Sequence, residues 1–249
     1  MKKAIRLTRV TQIIDLSPHL RRIILTGEAL SDFPQDQIGA YIKVLIPDAN
    51  PTAPGVNAED ENTLIKRSYT IQNFNPTTKE LSLDFVINCH NGPASNWAKT
   101  AKIGDELKIA GPGPRKLTNL SASNYLFIGD LTSINAIAAY NNMIPPDALS
   151  YIFITVPTEK DIPTGNINTL TGFNVHWIID NALDEYSNQL LEQLAALPKL
   201  PTDTQVFIGA EGHQVRITKN YLSNEHNLNN FAASAYWKKG INADGRTSP

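Results

Sequence analysis

Short stretches of strand-type residues fill the first half of the chain. They are rich in β-branched residues, alternate in part between apolar and polar positions, and end at Gly, Pro or Asn turns. Six short antiparallel strands joined by turns predict a small β-barrel. The residues between 48 and 63 are rich in Pro, Asn, Ala and acids without any period, which predicts a mobile loop. The strands are predicted over 6–15, 20–27, 41–47, 66–73, 81–88 and 106–111.

The second half has a different pattern, with continuous apolar runs over 125–130, 151–156, 175–179 and 205–210. Unbroken runs are typical of strands buried on both faces of a parallel sheet. Helical spacing between them predicts helices over 134–143, 188–197 and from about 214 to 222. Strands alternating with helices predict a doubly wound α/β domain. We therefore predict a barrel domain over 1–118 and an α/β domain over 119–249, with a last strand over 231–240 and a frayed end over 241–249.

Composition narrows the class of protein. A net charge of −2 over 249 residues argues against bulk nucleic-acid binding. No stretch approaches the ~18 apolar residues of a membrane span. The single cysteine, Cys89, excludes an intramolecular disulfide and fits a reducing compartment, so we expect a soluble cytoplasmic protein without a membrane partner. Residues 1–118 hold 15 Lys and Arg against 12 Asp and Glu, and residues 119–249 hold 7 against 12, which favours anion binding by the first half.

Arg67-Ser68-Tyr69-Thr70 is the first stretch with candidate chemistry. An Arg can pair bidentately with a phosphate, a Tyr can face an aromatic ring, and a Thr can hydrogen-bond the edge of that ring. The ordinary alternative is an exposed Arg followed by residues of high β-propensity.

Gly92-Pro93-Ala94-Ser95 is the second stretch, and it leads into a short helix containing Trp97. The N–H groups and the positive end of a helix favour a pyrophosphate. The alternative is a plain helix that Ser95 caps and that Trp97 anchors in the core. The two stretches together, with the strand Asp84-Phe85-Val86-Ile87 between them, favour a flavin dinucleotide and electron transfer.

With these motifs the chain resembles the siderophore-interacting protein family, flavin-dependent ferric-siderophore reductases related to ferredoxin reductases. The resemblance rests on the stretches above and, in the right order along nearly the whole chain, on Gly104-Asp105, Ala110-Gly111-Pro112-Gly113, Gly129-Asp130 with Thr132, Gly209-Ala210-Glu211 and Tyr236-Trp237-Lys238-Lys239-Gly240. Asn88 stands where the family often has His, Leu131 replaces an acidic residue, and Asn135 replaces Pro.

The resemblance implies a ferredoxin-reductase type of fold that holds FAD and receives electrons from NADH, NADPH or, in some members, ferredoxin. The absence of a Gly-x-Gly-x-x-Gly motif near Gly129 means that tight nicotinamide binding is not predicted. The residues assigned to cofactor binding are Arg67, Ser68, Tyr69, Thr70, Asp84, Phe85, Val86, Asn88, Gly92, Pro93, Ala94, Ser95, Asp130, Thr132 and Ser133.

The resemblance also implies a basic pocket beside the flavin for an anionic ferric siderophore. We assign Lys43, Arg115, Lys238 and Lys239 to it, because Lys43 interrupts an apolar strand and the lysine pair follows the last one. The alternative for each is a solvated surface cation. The five histidines, His90 among them, have no metal-ligand spacing, so the iron is expected to arrive within the substrate. Cys89 is interpreted as an ordinary buried thiol.

The hypothesis is therefore electron transfer through FAD to siderophore-bound Fe(III), without a catalytic acid, base or nucleophile. Two other classes stay open: a flavin or ferredoxin-type oxidoreductase with a non-iron acceptor, and a non-catalytic siderophore-binding module.

Overall fold

The structure is a computed structural model that describes residues 4–47, 64–89, 91–164, 170, 172–180 and 188–240. The loop expected over 48–63, the frayed end expected over 241–249 and His90 lie outside the described residues. None of the helices in these ranges is long and apolar enough to cross a membrane.

The first half forms a closed six-stranded antiparallel barrel, as predicted. The strand order is β1-β2-β5-β4-β3-β6, and β1 pairs with β6 to close it. One helix, α1, lies between β5 and β6. The elements are β1 (Ile5–Ser17), β2 (Leu20–Thr26), β3 (Tyr41–Pro47), β4 (Leu64–Asn75), β5 (Glu80–Val86), α1 (Pro93–Thr100) and β6 (Glu106–Gly113), with a 3-10 turn at Glu28–Leu30.

Side chains fill the inside of the barrel. Ile23, Leu25, Ile42, Leu83 and Phe85 are all fully buried in one apolar cluster. A six-stranded barrel is too narrow to hold a ligand as well as such a core. Any ligand of this unit must therefore bind at its rim or on its outer surface.

The second half is a five-stranded parallel sheet with helices between the strands, which confirms the predicted α/β class. The strand order is β11-β10-β7-β8-β9. Its elements are β7 (Asn124–Asp130), α2 (Ile134–Met143), β8 (Leu149–Val156), a 3-10 turn (Glu159–Asp161), β9 (Val175–Ile179), α3 (Gln189–Ala195), β10 (Gln205–Glu211), α4 (Gly212–Glu225) and β11 (Asn230–Trp237).

Many element boundaries differ from the predicted ones by one to three residues, and for three of them the structure gives a local reason. β5 ends at Val86 because Asn88 takes a left-handed backbone conformation with φ of 62°. α4 begins at Gly212 because the carboxylate of Glu211 accepts N–H groups of its first turn. β11 ends at Trp237, since a bulge shifts its pairing with β10 after Ala210.

The chain divides into two compact units, and the short turn between β1 and β2 belongs to the second. The first unit holds the residues up to Asp15 and those from Leu20 to Pro114, and the second holds Leu16–His19 and the residues from Arg115 onward.

Within the second unit the fully buried Asp161 carboxylate holds that turn. It accepts hydrogen bonds from Ser17 Oγ at 2.7 Å, His19 Nδ1 at 2.8 Å and Thr158 Oγ1 at 2.7 Å. The backbone N–H groups of His19 and Thr158 donate to it as well. Burial acts to raise the pKa of Asp161, but the hydrogen bonds from Thr158, Ser17 and His19 hold it below the usual 3.8.

We predict that Asp161→Asn lowers the free energy of unfolding by about 3 kcal/mol, because an amide leaves buried donors without an acceptor. Urea unfolding at pH 7 measures the loss. Since the folded-state pKa of Asp161 is lowered, its contribution is present above pH 3.8 and disappears as the pH falls through the folded-state value, so the two proteins should converge in acid. Glu159→Gln, an exposed change in the same turn, is the control and should stay within about 0.5 kcal/mol. An equal loss of unfolding free energy in Asp161→Asn and Glu159→Gln would refute the role of Asp161 in holding the turn.

Candidate functional site

A polar pocket opens at the N-terminus of α1. Its volume is about 230 Å³, and it is lined by Asn88, Cys89, Asn91, Ser95, Asn96 and Lys99. That volume is below the ~300–1,000 Å³ of a whole-ligand pocket, and it suits a phosphate-sized part of a larger ligand.

The start of α1 is built to leave backbone N–H groups for an anion. Gly92 is the N-cap residue, no side chain caps the helix, and Pro93 occupies the first turn. The Asn96 N–H donates to the Gly92 carbonyl, which is the first hydrogen bond of the helix. The N–H groups of Ala94 and Ser95 precede it and have no acceptor within the helix. With the positive end of the helix dipole and the Lys99 side chain nearby, the pocket favours negative charge.

Two side-chain contacts fix this helix. Ser95 Oγ donates to the Val86 carbonyl at 2.8 Å, which ties the first turn to the end of β5. At the other end the Arg21 guanidinium donates to the carbonyls of Ala98 and Lys99. Ser95 is therefore not the N-cap residue. Its hydroxyl fixes the first turn of α1, which lines the pocket, to the end of β5.

Arg67 and Tyr69 lie on one face of β4, since residues two apart in a strand share a face. Opposite them on β3 stand Val44 and Ile42. Ser68 and Thr70 lie on the other face, and the exposed Lys43 of β3 is paired with Ser68. Burial raises the pKa of the Tyr69 hydroxyl and the nearby Arg67 charge acts to lower it, with the net direction upward. The hydroxyl thus stays protonated and available as a hydrogen-bond donor.

Phe85 joins the two predicted motifs. Its ring centroid lies 4.2 Å from that of Tyr69 on β4 and 5.6 Å from that of Trp97 on α1. Phe85 is fully buried in the barrel core, so its side chain cannot touch a flavin. The Phe85 side chain therefore holds Tyr69 and α1 in place, and binding of FAD by the strand that contains Phe85 stays a prediction.

Asp84 also has a structural partner. The Arg22 guanidinium donates to both carboxylate oxygens, from Nε at 2.7 Å and from Nη2 at 2.8 Å. The Asp84 side chain is only 3 % exposed, and the two residues are opposite each other on β5 and β2. The carboxylate oxygens of Asp84 therefore hold Arg22, and binding of FAD by the strand that contains Asp84 stays a prediction. Val86 and Asn88 contribute the strand end and the left-handed turn that lead into the pocket.

The turn between β7 and α2 is occupied by its own side chains. Asp130 Oδ1 accepts hydrogen bonds from the backbone N–H and the hydroxyl of Thr132. Ser133 is fully buried, and a Cβ on Gly129 would overlap its Oγ. Burial raises the pKa of Asp130, which is further raised by the charge of Glu211 and lowered in part by Thr132 and Trp237.

The four assigned cations fall into both units. Lys43 is exposed on the outer face of β3 in the barrel unit. The other three lie in the second unit: Arg115 interacts electrostatically with the Tyr140 hydroxyl, Lys238 is exposed and Lys239 is half-buried just after β11. Three residues with positioning roles were not predicted from the sequence: Arg22, which holds Asp84 of β5, Arg21, which holds the end of α1, and Glu211, which caps α4. A charged residue within or just after an apolar strand run was the available indication for Arg22 and Glu211.

The residues at the N-terminus of α1 fit FAD. The residues at the β7–α2 turn fit a nicotinamide dinucleotide poorly. The uncapped N-terminus of α1, with its polar pocket, suits the FAD pyrophosphate, and Arg67 and Tyr69 suit the rest of such a ligand. The β7–α2 turn lacks the open glycine backbone against which a nicotinamide dinucleotide places its phosphates.

A closed antiparallel barrel with a phosphate-type pocket, followed by a parallel α/β unit, defines the class of two-unit flavin oxidoreductases. Residues 9–116 match the siderophore-interacting FAD-binding domain, and residues 122–240 match the siderophore-interacting protein model. The chain belongs to the siderophore-interacting protein family.

Relatives and a solved structure agree along nearly the whole chain. The ferric vibriobactin reductase ViuB of Vibrio cholerae is 29% identical, with 92% of this chain and 88% of the relative covered. The NADPH-dependent ferric-chelate reductase of Escherichia coli is 26% identical, with 92% and 91% covered. The crystal structure of the siderophore-interacting protein SipS from Aeromonas hydrophila superposes with a TM-score of 0.80 at 31% identity, covering 97% of this chain and 94% of that chain.

We predict that Asp84→Asn destabilises the barrel by about 3 kcal/mol, because it leaves the Arg22 guanidinium buried without its counter-charge. The exposed pair Arg9–Glu106 on neighbouring strands is the matched control: Glu106→Gln should cost less than about 1 kcal/mol. Denaturant unfolding measures both. At denaturant concentrations below its unfolding transition, the Asp84→Asn protein should still bind FAD. If the fully folded Asp84→Asn protein does not bind FAD, the Asp84 carboxylate is part of the cofactor site.

Proposed function

We propose that this protein is an FAD-dependent ferric-siderophore reductase that passes electrons to siderophore-bound Fe(III) and so releases Fe(II). The observation that carries the proposal is the uncapped, polar N-terminus of α1, joined through Trp97, Phe85 and Tyr69 to the strand that holds Arg67. The family and the names of the ferric vibriobactin and ferric-chelate reductases support iron as the acceptor.

The protein's own residues have three tasks in this proposal. Arg67 and the first turn of α1 bind the anionic part of FAD, while Tyr69 and Thr70 orient its ring system. Bound FAD supplies the exchange between a two-electron donor and a one-electron acceptor. Lys43, Arg115, Lys238 and Lys239 attract a negatively charged chelate. Fe(II) is a weaker partner than Fe(III) for hard oxygen ligands, so reduction loosens the complex.

The electron donor is proposed to be a reduced nicotinamide, on the name of the NADPH-dependent relative. The closed turn at Gly129 and Ser133 offers no diphosphate cradle of the glycine-rich kind, which favours weak and transient donor binding. NADH, NADPH and reduced ferredoxin should therefore be compared as donors in one assay. A cytoplasmic location stays a prediction.

The deciding experiment combines the FAD-loaded protein with each donor and a ferric siderophore without oxygen, and follows Fe(II) with a ferrous-specific chromophore. Rapid Fe(II) formation supports the proposal. A yellow protein that oxidises the donor but produces Fe(II) no faster than free FAD does would point to a non-iron acceptor. Protein that stays colourless after addition of FAD, yet binds the ferric siderophore, would indicate a binding module.

For cofactor binding we predict that Arg67→Ala raises the FAD dissociation constant about 10- to 100-fold, the value of a charge-assisted hydrogen bond. Titration of the FAD-free protein with FAD, followed by flavin fluorescence, measures it. Lys66→Ala is the matched control, because Lys66 is an exposed neighbour on the opposite face of β4. Equal affinities in the two variants would show that Arg67 does not bind FAD.

For substrate binding we predict that the triple variant Lys43→Ala, Lys238→Ala, Lys239→Ala raises KM for an anionic ferric siderophore by about tenfold or more, because positive charge that attracts the chelate is removed. Its FAD content should match that of the wild type. A control with the same loss of charge at three exposed lysines, Lys102→Ala, Lys160→Ala and Lys199→Ala, should leave KM within about twofold. If both triple variants give the same KM, the substrate assignment is wrong.

A further inference from the structure

The end of β11 is held by two carboxylates, that of the half-buried Asp130 and that of the buried Glu211, at the ends of neighbouring strands. Trp237 Nε1 donates to Asp130 Oδ2 at the end of β7, at 2.8 Å. The backbone N–H of Lys239 donates to Glu211 Oε1 at the end of β10, at 3.2 Å. Because β10 lies between β7 and β11, the indole of Trp237 reaches across one strand end to make its bond. The segment with Lys238 and Lys239 is therefore fixed to the sheet at two points, at Trp237 just before the pair and at the backbone of Lys239.

Glu211 makes more than one of these attachments. Its Oε2 accepts the N–H groups of His213 and Gln214 in the first turn of α4, while Oε1 accepts Lys239 N–H. The residue is only 7% exposed. A single buried carboxylate thus links the start of α4 to Lys239, the second residue after β11. The helix N-terminus offsets the negative charge of that carboxylate.

A bulge and a glycine set the direction of the lysine side chains. Ala210 pairs with Ala235, but Glu211 pairs with Trp237, so one extra residue of β11 is inserted beside Glu211. Such a bulge redirects the side chains that follow it. The stem of Lys238 then lies over Gly212, where a Cβ would be 3.2 Å from Lys238 Cγ. The Lys238 stem would have to shift by a few tenths of an ångström to accept a Cβ at the first position of α4.

We propose that Glu211 is a positioning residue for anionic substrates: by holding Lys239 N–H at the bulge, it fixes how Lys238 and Lys239 present their charges to a ferric chelate. The inference rests on the proposed function and extends it to specificity. Glu211 touches neither substrate nor cofactor, and it acts through the lysine pair alone. Loss of Glu211 should therefore lower kcat/KM for anionic chelates more than for neutral ones.

The test compares a hexadentate ferric tris-catecholate, which carries three negative charges, with ferric trisacetohydroxamate, which is neutral. Glu211→Gln cannot serve all three N–H donors, because one carboxylate oxygen becomes an NH₂ group. We expect the ratio of kcat/KM for the anionic chelate to that for the neutral chelate to fall about tenfold, or ~1.4 kcal/mol. Glu225→Gln, an exposed change at the far end of the same helix, is the matched control and should leave the ratio unaltered.

Two further variants separate positioning from general damage to the fold. In a Lys238→Ala, Lys239→Ala background, Glu211→Gln should have no further effect on the ratio, because the groups it positions are gone. Gly212→Ala keeps every bond of Glu211 but crowds Lys238, and it should lower the ratio as well. An equal loss for both chelates in Glu211→Gln, or an undiminished effect in the lysine-free background, would overturn the proposal.

A binding measurement keeps this test independent of turnover. Quenching of tryptophan fluorescence by the ferric tris-catecholate gives a dissociation constant for the wild type and each variant, and Glu211→Gln should raise it about tenfold. If the wild type binds the chelate but reduces none, the proposed function fails and the positioning role is still decided. If binding is unchanged in Glu211→Gln, the positioning role fails and the reductase proposal stands on its own assay.

Discussion

Closure of the barrel is the constraint on which the flavin assignment depends. Pairing of β1 with β6 completes the ring of strands, and a ring of six leaves space only for its own side chains. A flavin must then bind at the rim or on the outer surface, and for this the chain offers Arg67 on β4 and a short helix with an uncapped start. The core serves that outer site, because Phe85 contacts Tyr69 on one side and Trp97 on the other.

Buried and half-buried acids in both units stabilise the fold. Asp84 holds Arg22, Asp161 holds the turn between β1 and β2, and Asp130 and Glu211 hold the end of β11. Each carboxylate is compensated by several donors, as a buried charge must be. The candidate binding cations, by contrast, are exposed or half-buried. Anionic ligands can therefore meet positive charge at the surface although the whole chain carries a net charge of −2.

Much of this could be predicted from the sequence, because periodicity and turn residues act locally. The six barrel strands and the parallel sheet follow from apolar spacing, and the Gly92-Pro93 helix start follows from the missing proline N–H and the small residues beside it. The side-chain roles of Asp84 and Phe85 could not be predicted in the same way. A strand motif gives the spacing of these residues, but it does not say which faces the core or which opposes Arg22 across the sheet.

The sequence alone determined the order of elements, the two classes of sheet and the residue types available to bind an anionic, aromatic cofactor, since these depend on neighbours along the chain. Only the tertiary structure decided which of those residues are engaged. The Arg22–Asp84 pair, the contact of Trp237 with Asp130 and the bond from Lys239 to Glu211 join positions separated by 62, 107 and 28 residues. Such contacts are set by strand order and register, which bring distant residues within hydrogen-bonding distance only when the sheets have formed.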